Sequence, residues 1–297
     1  MKKIFNLCIL CFLLCNTLES KTISRYGNKT RAVNKNKQQN ITPPLANQLI
    51  AELGIGMEYY KYKEPNVMQI TGPMMNFNST IGVIRKIFRF QTDLYFATHV
   101  GANVYDGGLY DHTTQTTTAY STKSTDYYTG VTTKFGMTFF EMKKELFFGY
   151  IGLGYRFLHN LSIDKPGIKA SYDRYQGYLF LPIGVSGEVP LNPKVSFIGA
   201  IEQRILLFGH NTSTFSDIGY DKDLYFEQKM GYGGRITFGT KIYFQNAGAL
   251  KISAYYDYWK IEDSNIVPAY QQGVFIGNFV EPKNYTNTFG INLTYAF

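Results

Sequence analysis

Side chains able to activate a water molecule fall in two polar segments of this 297-residue chain. Asp106, Asp111 and His112 lie in the first, and His210, Asp217, Asp221 and Asp223 in the second. An imidazole beside a carboxylate can take a proton from water, so Asp106, Asp111, His112 and His210 are the candidate catalytic groups. Acids and histidines in polar loops are more often solvated surface groups, and the leading expectation is a protein without enzymatic activity. His99 and Asp93 share one expected strand, but six extended residues hold them about 20 Å apart, too far to pair. The four histidines, His99, His112, His159 and His210, are scattered, and Cys8, Cys11 and Cys15 all precede residue 20. No metal site, disulfide framework or cofactor is therefore expected.

What could hold such groups in place is bounded by composition. Tyr 25, Phe 23 and Gly 28 stand against a single Trp, with only 18% charged residues. That balance disfavours disorder, coiled coil and a helical enzyme and suits β-structure with a broad apolar surface. Residues 1–20 read as a secretory signal: Lys2 and Lys3 precede an apolar run, Ile4 to Leu14, too short to span a bilayer permanently. Leu14 stands where a lipoprotein signal wants a small residue, so lipidation of Cys15 is not expected. The formal charge is +8; removing Lys2, Lys3 and Glu19 subtracts a net +1 and leaves +7. Six of these charges, Lys21, Arg25, Lys29, Arg31, Lys35 and Lys37, crowd residues 21–48 with no acid between them. With Pro43 and Pro44 and scarcely any apolar periodicity, this segment is expected to be a disordered periplasmic arm touching lipid phosphates or the cell wall, not nucleic acid.

Beyond residue 20 no run of eighteen apolar residues exists, and the remaining signal is a period of two. In the last residues Phe289, Ile291, Leu293, Tyr295 and Phe297 alternate with Thr288, Gly290, Asn292, Thr294 and Ala296, placing an oily set on one face of a strand. This ending resembles the terminal assembly signal of bacterial outer-membrane β-barrels. The resemblance implies insertion by the barrel-assembly machinery, with outer-membrane lipid and lipopolysaccharide as neighbours. The same alternation recurs near 49–62, 79–88, 90–104, 126–139, 145–157, 172–187, 194–208, 226–244, 249–261 and 284–297, ten segments in all. Connections alternate between tight turns and long polar stretches at 63–78, 105–125, 158–171, 209–225 and 262–283, so both chain termini fall on the periplasmic side. A soluble β-sandwich is the competing reading, and the aromatic-rich single face in nearly every segment weighs against it.

The fold expected over 49–297 is thus all-β, a transmembrane up-and-down antiparallel barrel of about ten strands, or eight or twelve if segments merge or split. Carrying the parity inward gives a lumen network of Glu52, Glu58, Asp93, Lys134, Arg156, Arg174, Glu202, Arg204, Arg235, Lys241 and Asp257, with His99, Glu227, Lys229 and Lys251 on the same face. Acids and bases are mixed, so a filled lumen is favoured over a conducting one.

Two enzyme families bear on the rim candidates. Outer-membrane phospholipases and lipid A deacylases resemble one another in placing a His two positions before a Ser on a lipid-facing strand. The nearest stretch here, His210-Asn211-Thr212-Ser213, has Thr in that place and falls in an expected loop. The strand count and mature length resemble the omptin proteases, which implies an acidic pair in one external loop and an Asp-His pair in another. Here no two acids lie one residue apart in the second loop, and no Asp stands two residues before His210. The function expected is therefore a monomeric structural or surface-interaction protein, adhesin- or opacity-like, with an external ligand. A narrow solute pore and an omptin-like rim protease or other outer-membrane hydrolase are the alternatives. The fifth long connection is unusually apolar (Ile266, Val267, Tyr270, Val274, Phe275, Ile276, Phe279, Val280) and is expected to pack over the mouth.

Overall fold

The computed structural model describes residues 48–297 apart from 112, 113, 115, 143, 144, 169, 246 and 247. The expected signal peptide, the basic arm before Gln48, and His112 lie outside the described residues.

A strand inside hydrocarbon cannot leave backbone N–H and C=O groups unpaired, so a membrane sheet must close on itself. Ten antiparallel strands do so here: β1 (Gln48–Glu64), β2 (Met68–Arg85), β3 (Phe88–His99), β5 (Thr116–Met142), β6 (Glu145–Ser162), β7 (Asp173–Pro190), β8 (Val195–Ser213), β10 (Gly231–Tyr243), β11 (Ala249–Ile261) and β14 (Asn284–Ala296). Each pairs with its neighbour in sequence order, and β14 returns to β1 to shut the ring. At that seam Leu53 faces Tyr295, Ile55 faces Leu293, Met57 faces Ile291 and Tyr59 faces Phe289. The carboxy-terminal alternation thus meets an identical alternation in the first strand, and both oily sets, the half-buried Tyr295 apart, stand exposed on the outer wall.

Four strands lie off the ring. β4 (Asn103–Asp111) fills the gap between the outer ends of β2 and β5, and β9 (Leu224–Gln228) continues the sheet beside β8. β12 (Val267–Gln271) and β13 (Val274–Phe279) form a separate hairpin. The turns at one end of the barrel are short, as between Arg85 and Phe88 or Pro190 and Val195, while β4, β9 and the β12–β13 hairpin all project from the other. Short turns mark the periplasmic end of such barrels and long connections the outer end.

The strands run further outward than the alternation of oily residues implies. β2 begins at Met68 instead of 79, so the long loop expected over 63–78 is a turn at residues 65–67. β5 begins at Thr116 within the polar stretch taken as loop, and β8 runs on through Ser213, which puts His210 on a strand. The physical reason is an inversion of polarity. Above the lipid the outer wall faces water, and Gln69 and Thr71 point out while Met68, Ile70 and Met74 are buried inside. A rule seeking oily residues outside ends each strand at the lipid boundary. The same inversion corrects 226–244: the chain leaves the ladder between β9 and β10, Phe226 is buried within, and Glu227 and Lys229, expected in the lumen, are 54% and 76% exposed outside.

An arginine on the lipid face at mid-membrane costs about 2–4 kcal/mol. Ile291→Arg is therefore expected to lower unfolding free energy by about that amount in urea titrations in detergent, whereas Asn292→Ala, one residue along on the inner face, is expected to cost under about 1 kcal/mol.

Candidate functional site

Inward-pointing residues of a narrow barrel meet across the axis, so opposite charges from distant strands can pair. One chain of alternating sign crosses the middle of the lumen. Asp93 on β3 pairs with Lys134 on β5 at 3.1 Å, and Lys134 with Glu202 on β8 at 2.7 Å. Glu202 accepts from the Arg204 Nε at 2.6 Å, Arg204 reaches Asp257 on β11 at 2.7 Å, and Arg235 on β10 stands 3.8 Å from the same carboxylate. Glu202 and Asp257 each touch two cations, which is how buried charges avoid the penalty of lost hydration. Glu58 is satisfied differently: the hydroxyls of Tyr95, Tyr128 and Tyr255 all donate to its carboxylate, and Asn76 Nδ2 donates at 3.1 Å. Nearer the periplasm Lys251 pairs with Glu52, and Lys241 with Glu188 at 3.0 Å.

Above this polar belt the lumen is packed with apolar side chains. Tyr60, Tyr62, Ile70, Met74, Leu158, Tyr178, Phe180, Leu206, Trp259 and Ile261 form one buried apolar cluster across the axis. Arg156 and Arg204 lie over the Trp259 ring at 5.6 and 5.4 Å, joining the two layers by cation–π contact. Below the cluster an inner cavity of about 320 Å³ runs toward the periplasm, where a second of about 260 Å³ shares part of its wall.

The outer mouth is strapped shut. Arg174 on β7 carries two carboxylates on one guanidinium nitrogen, Glu64 from the end of β1 and Glu281 from the segment between β13 and β14. Tyr62 donates to Glu64 at 2.8 Å and Gln176 to Glu281 at 3.2 Å, and all five side chains are buried. Burial and the neighbouring Glu64 carboxylate raise Glu281 to about 7 against the lowering pull of Arg174. Sequence parity places Arg174 in the lumen but gives no sign of Glu281, which belongs to an irregular segment with no period. Arg89 and Glu188, at the periplasmic ends of their strands, escape the same parity count because they border the turns.

The rim candidates are dispersed. Asp106 sits on β4 opposite Gln69 and Ser121, and Asp111 closes that strand opposite Thr116. Asp221 caps the β12–β13 turn by accepting from the backbone N–H of Gln272 and Gly273 at 2.7 and 2.9 Å, and Asp223 accepts from Ser216. His210 points outward and meets the Tyr155 hydroxyl at 3.0 Å, the bridge passing over β7 at Gly177, where any Cβ would strike both groups. The one close Asp–His pair among the described residues is His159 Nε2 with Asp173 Oδ1 at 2.5 Å. That imidazole lies between the rings of Tyr127 and Tyr175, at 4.9 and 4.8 Å, in an outward aromatic belt. Their separation in sequence hid the pair. His99 lies at the top of β3 against the Asp126 backbone, while the Asp126 carboxylate accepts from Asn103, Ser124 and Asn160 at 2.7 to 2.9 Å. Among the described residues no three His, Cys, Asp or Glu gather to hold a metal.

The closed ring, the oily outer wall and the filled lumen bear comparison with solved structures. Escherichia coli outer membrane protease OmpT is similar over 86% of this chain and 98% of its own, with 10% identity and a TM-score of 0.54. The chain has the fold of an outer-membrane β-barrel. A major outer membrane protein from Thermus thermophilus (11% identity, 83% and 99% covered, TM-score 0.38) and Neisserial surface protein A (9%, 83% and 97%, 0.33) are also similar. No family model and no curated protein matches the sequence.

The Glu281 strap gives a pH dependence whose sign follows from linkage. A carboxyl raised above its unfolded value contributes stability that is full below about 4.5 and is lost as pH rises through about 7. A spin label on Val274→Cys in the hairpin is expected to be less mobile at pH 5 than at pH 8.5. In the Glu281→Gln background this difference should vanish.

Proposed function

We propose that this protein is a non-conducting, non-enzymatic component of the outer membrane whose outer rim acts as a rigid surface for contact with an external ligand. The observation that carries the reading is the pairing of a dry outer lumen with a sheet that continues beyond the lipid. A barrel built for passage has no use for Trp259, Leu158 and Tyr60 buried across its axis. The material spent outside the membrane instead builds a platform. Leu224, Phe226 and Ala269 form a second small core between β9 and the β12–β13 hairpin, with Phe215, Tyr220, Val267 and Phe279 packed on it. On top of this support Tyr270 and Phe275 make an edge-to-face pair 5.7 Å apart, and Val274 beside them is 62% exposed. An ordered apolar tip on a fixed hairpin suits recognition, because little entropy is lost on binding. Exposed aromatic residues of this kind anchor interfaces more often than other surface residues.

The protease activity in the name of the Escherichia coli protein is not carried over. Asp221 and Asp223 are engaged in holding the loops, and His210 is bonded to a tyrosine instead of an acid, which supports a non-catalytic rim.

Purified protein in planar bilayers is expected to give no steady open conductance, and a sustained conductance would refute the closed-lumen reading. On whole cells, Tyr270→Ser with Phe275→Ser is expected to reduce attachment to host-cell or matrix surfaces several-fold at unchanged surface abundance. Unaltered attachment would remove the hairpin tip from the interaction.

A further inference from the structure

The periplasmic end of the barrel, opposite the platform, holds a cation with no ion-pair partner among the described residues. One cavity of about 260 Å³ is lined by three cations, Arg89, Lys241 and Lys251, and two carboxylates, Glu52 and Glu188. Lys251 is matched by Glu52, and Lys241 by Glu188. Arg89 is left over: no carboxylate among the described residues lies within ion-pair distance of it, and its Nε is buried without an acceptor. Asp93, the next acid along β3, is already held by Lys134 and accepts from Thr80 and Gln91 at 2.8 Å each. The Arg89 guanidinium lies over the ring of Phe148 at 5.1 Å, a contact that uses its face and not its N–H edge.

A half-buried guanidinium without an anion beside it is costly, and its planar fork matches two oxygens of one oxyanion. We infer that the periplasmic mouth is a binding site for a small oxyanion, a carboxylate or phosphate group, held by Arg89 with Lys241 and Lys251 adding positive field. The Ser186 and Thr237 side chains line the same cavity and supply hydroxyl donors for a third oxygen. Its volume falls just under the usual range of small-molecule pockets, so it admits one acidic group and a few attached atoms. Because the lumen above is filled by packed side chains, such a group enters and leaves on the periplasmic side only. Arg89 also lines the larger inner cavity, so an occupied site would sit at the neck between the two.

The full chain in detergent is tested by thermal unfolding at constant ionic strength, titrated with sodium phosphate, sodium acetate or sodium chloride. A saturable rise in Tm with phosphate, acetate or both, beyond that with chloride, is expected, and whichever salt acts assigns the anion class. Arg89→Gln should abolish the rise, the unheated gel mobility showing that the barrel is intact. Arg89→Lys keeps the charge but loses the fork, and should raise the half-saturating concentration roughly tenfold. An equal response to chloride, or an unchanged response in Arg89→Gln, would overturn the site. Should Arg89→Gln not fold, an unchanged half-saturation in Arg89→Lys would overturn it alone.

Discussion

The constraint on which everything else rests is that peptide groups in hydrocarbon have no water to turn to. A sheet with an edge would leave a column of unpaired donors and acceptors in the lipid, so the tenth strand must find the first. Here the meeting of β14 with β1 aligns Leu293 with Ile55 and Asn292 with Gly56, one oily pair out, one compact pair in. A slip of one residue would turn every oily side chain of β14 inward and every polar one into lipid. Closure and register are therefore a single requirement, met by the same alternation that gives the wall its solubility in the membrane.

Once the wall is fixed, the inside becomes a problem of filling a narrow cylinder, and the protein solves it twice. At lipid depth charged side chains of alternating sign interlock, with Glu202 between Lys134 and Arg204 and Asp257 between Arg204 and Arg235. Above that depth the outer wall meets water, apolar groups are released from facing lipid, and they gather inside as in a soluble protein. The molecule is thus a membrane barrel below and a small conventional β-domain above, joined without a break in the strands. Arg156 and Arg204, lying over Trp259, form the boundary between the two regimes.

This division explains what the sequence could and could not reveal. The ten membrane strands and their inner charges were legible because lipid imposes one rule on every second residue, and Glu52, Lys134, Arg204 and Asp257 all lie on the side that the rule assigns. The outer extensions were not, since Ile70 and Met74 obey the opposite rule and Thr116 to Thr118 obey none that distinguishes strand from loop. Glu227 and Lys229 were misassigned because a break of two residues between β9 and β10 reverses the parity, and nothing in Glu227-Gln228-Lys229-Met230 marks it. Pairings such as Glu281 with Arg174 or His159 with Asp173 depend on irregular segments and on neighbours distant in the chain, information that periodicity does not carry.

Trp259 is the only tryptophan in the chain, and it stands at the junction of the dry and wet halves, fully enclosed, with guanidinium groups against its ring. Intrinsic emission excited at the indole band therefore comes from a single optical sentinel placed across the axis of the molecule. Any rearrangement that admits solvent from one half to the other must pass it, and would announce itself as a red shift without a label having been attached.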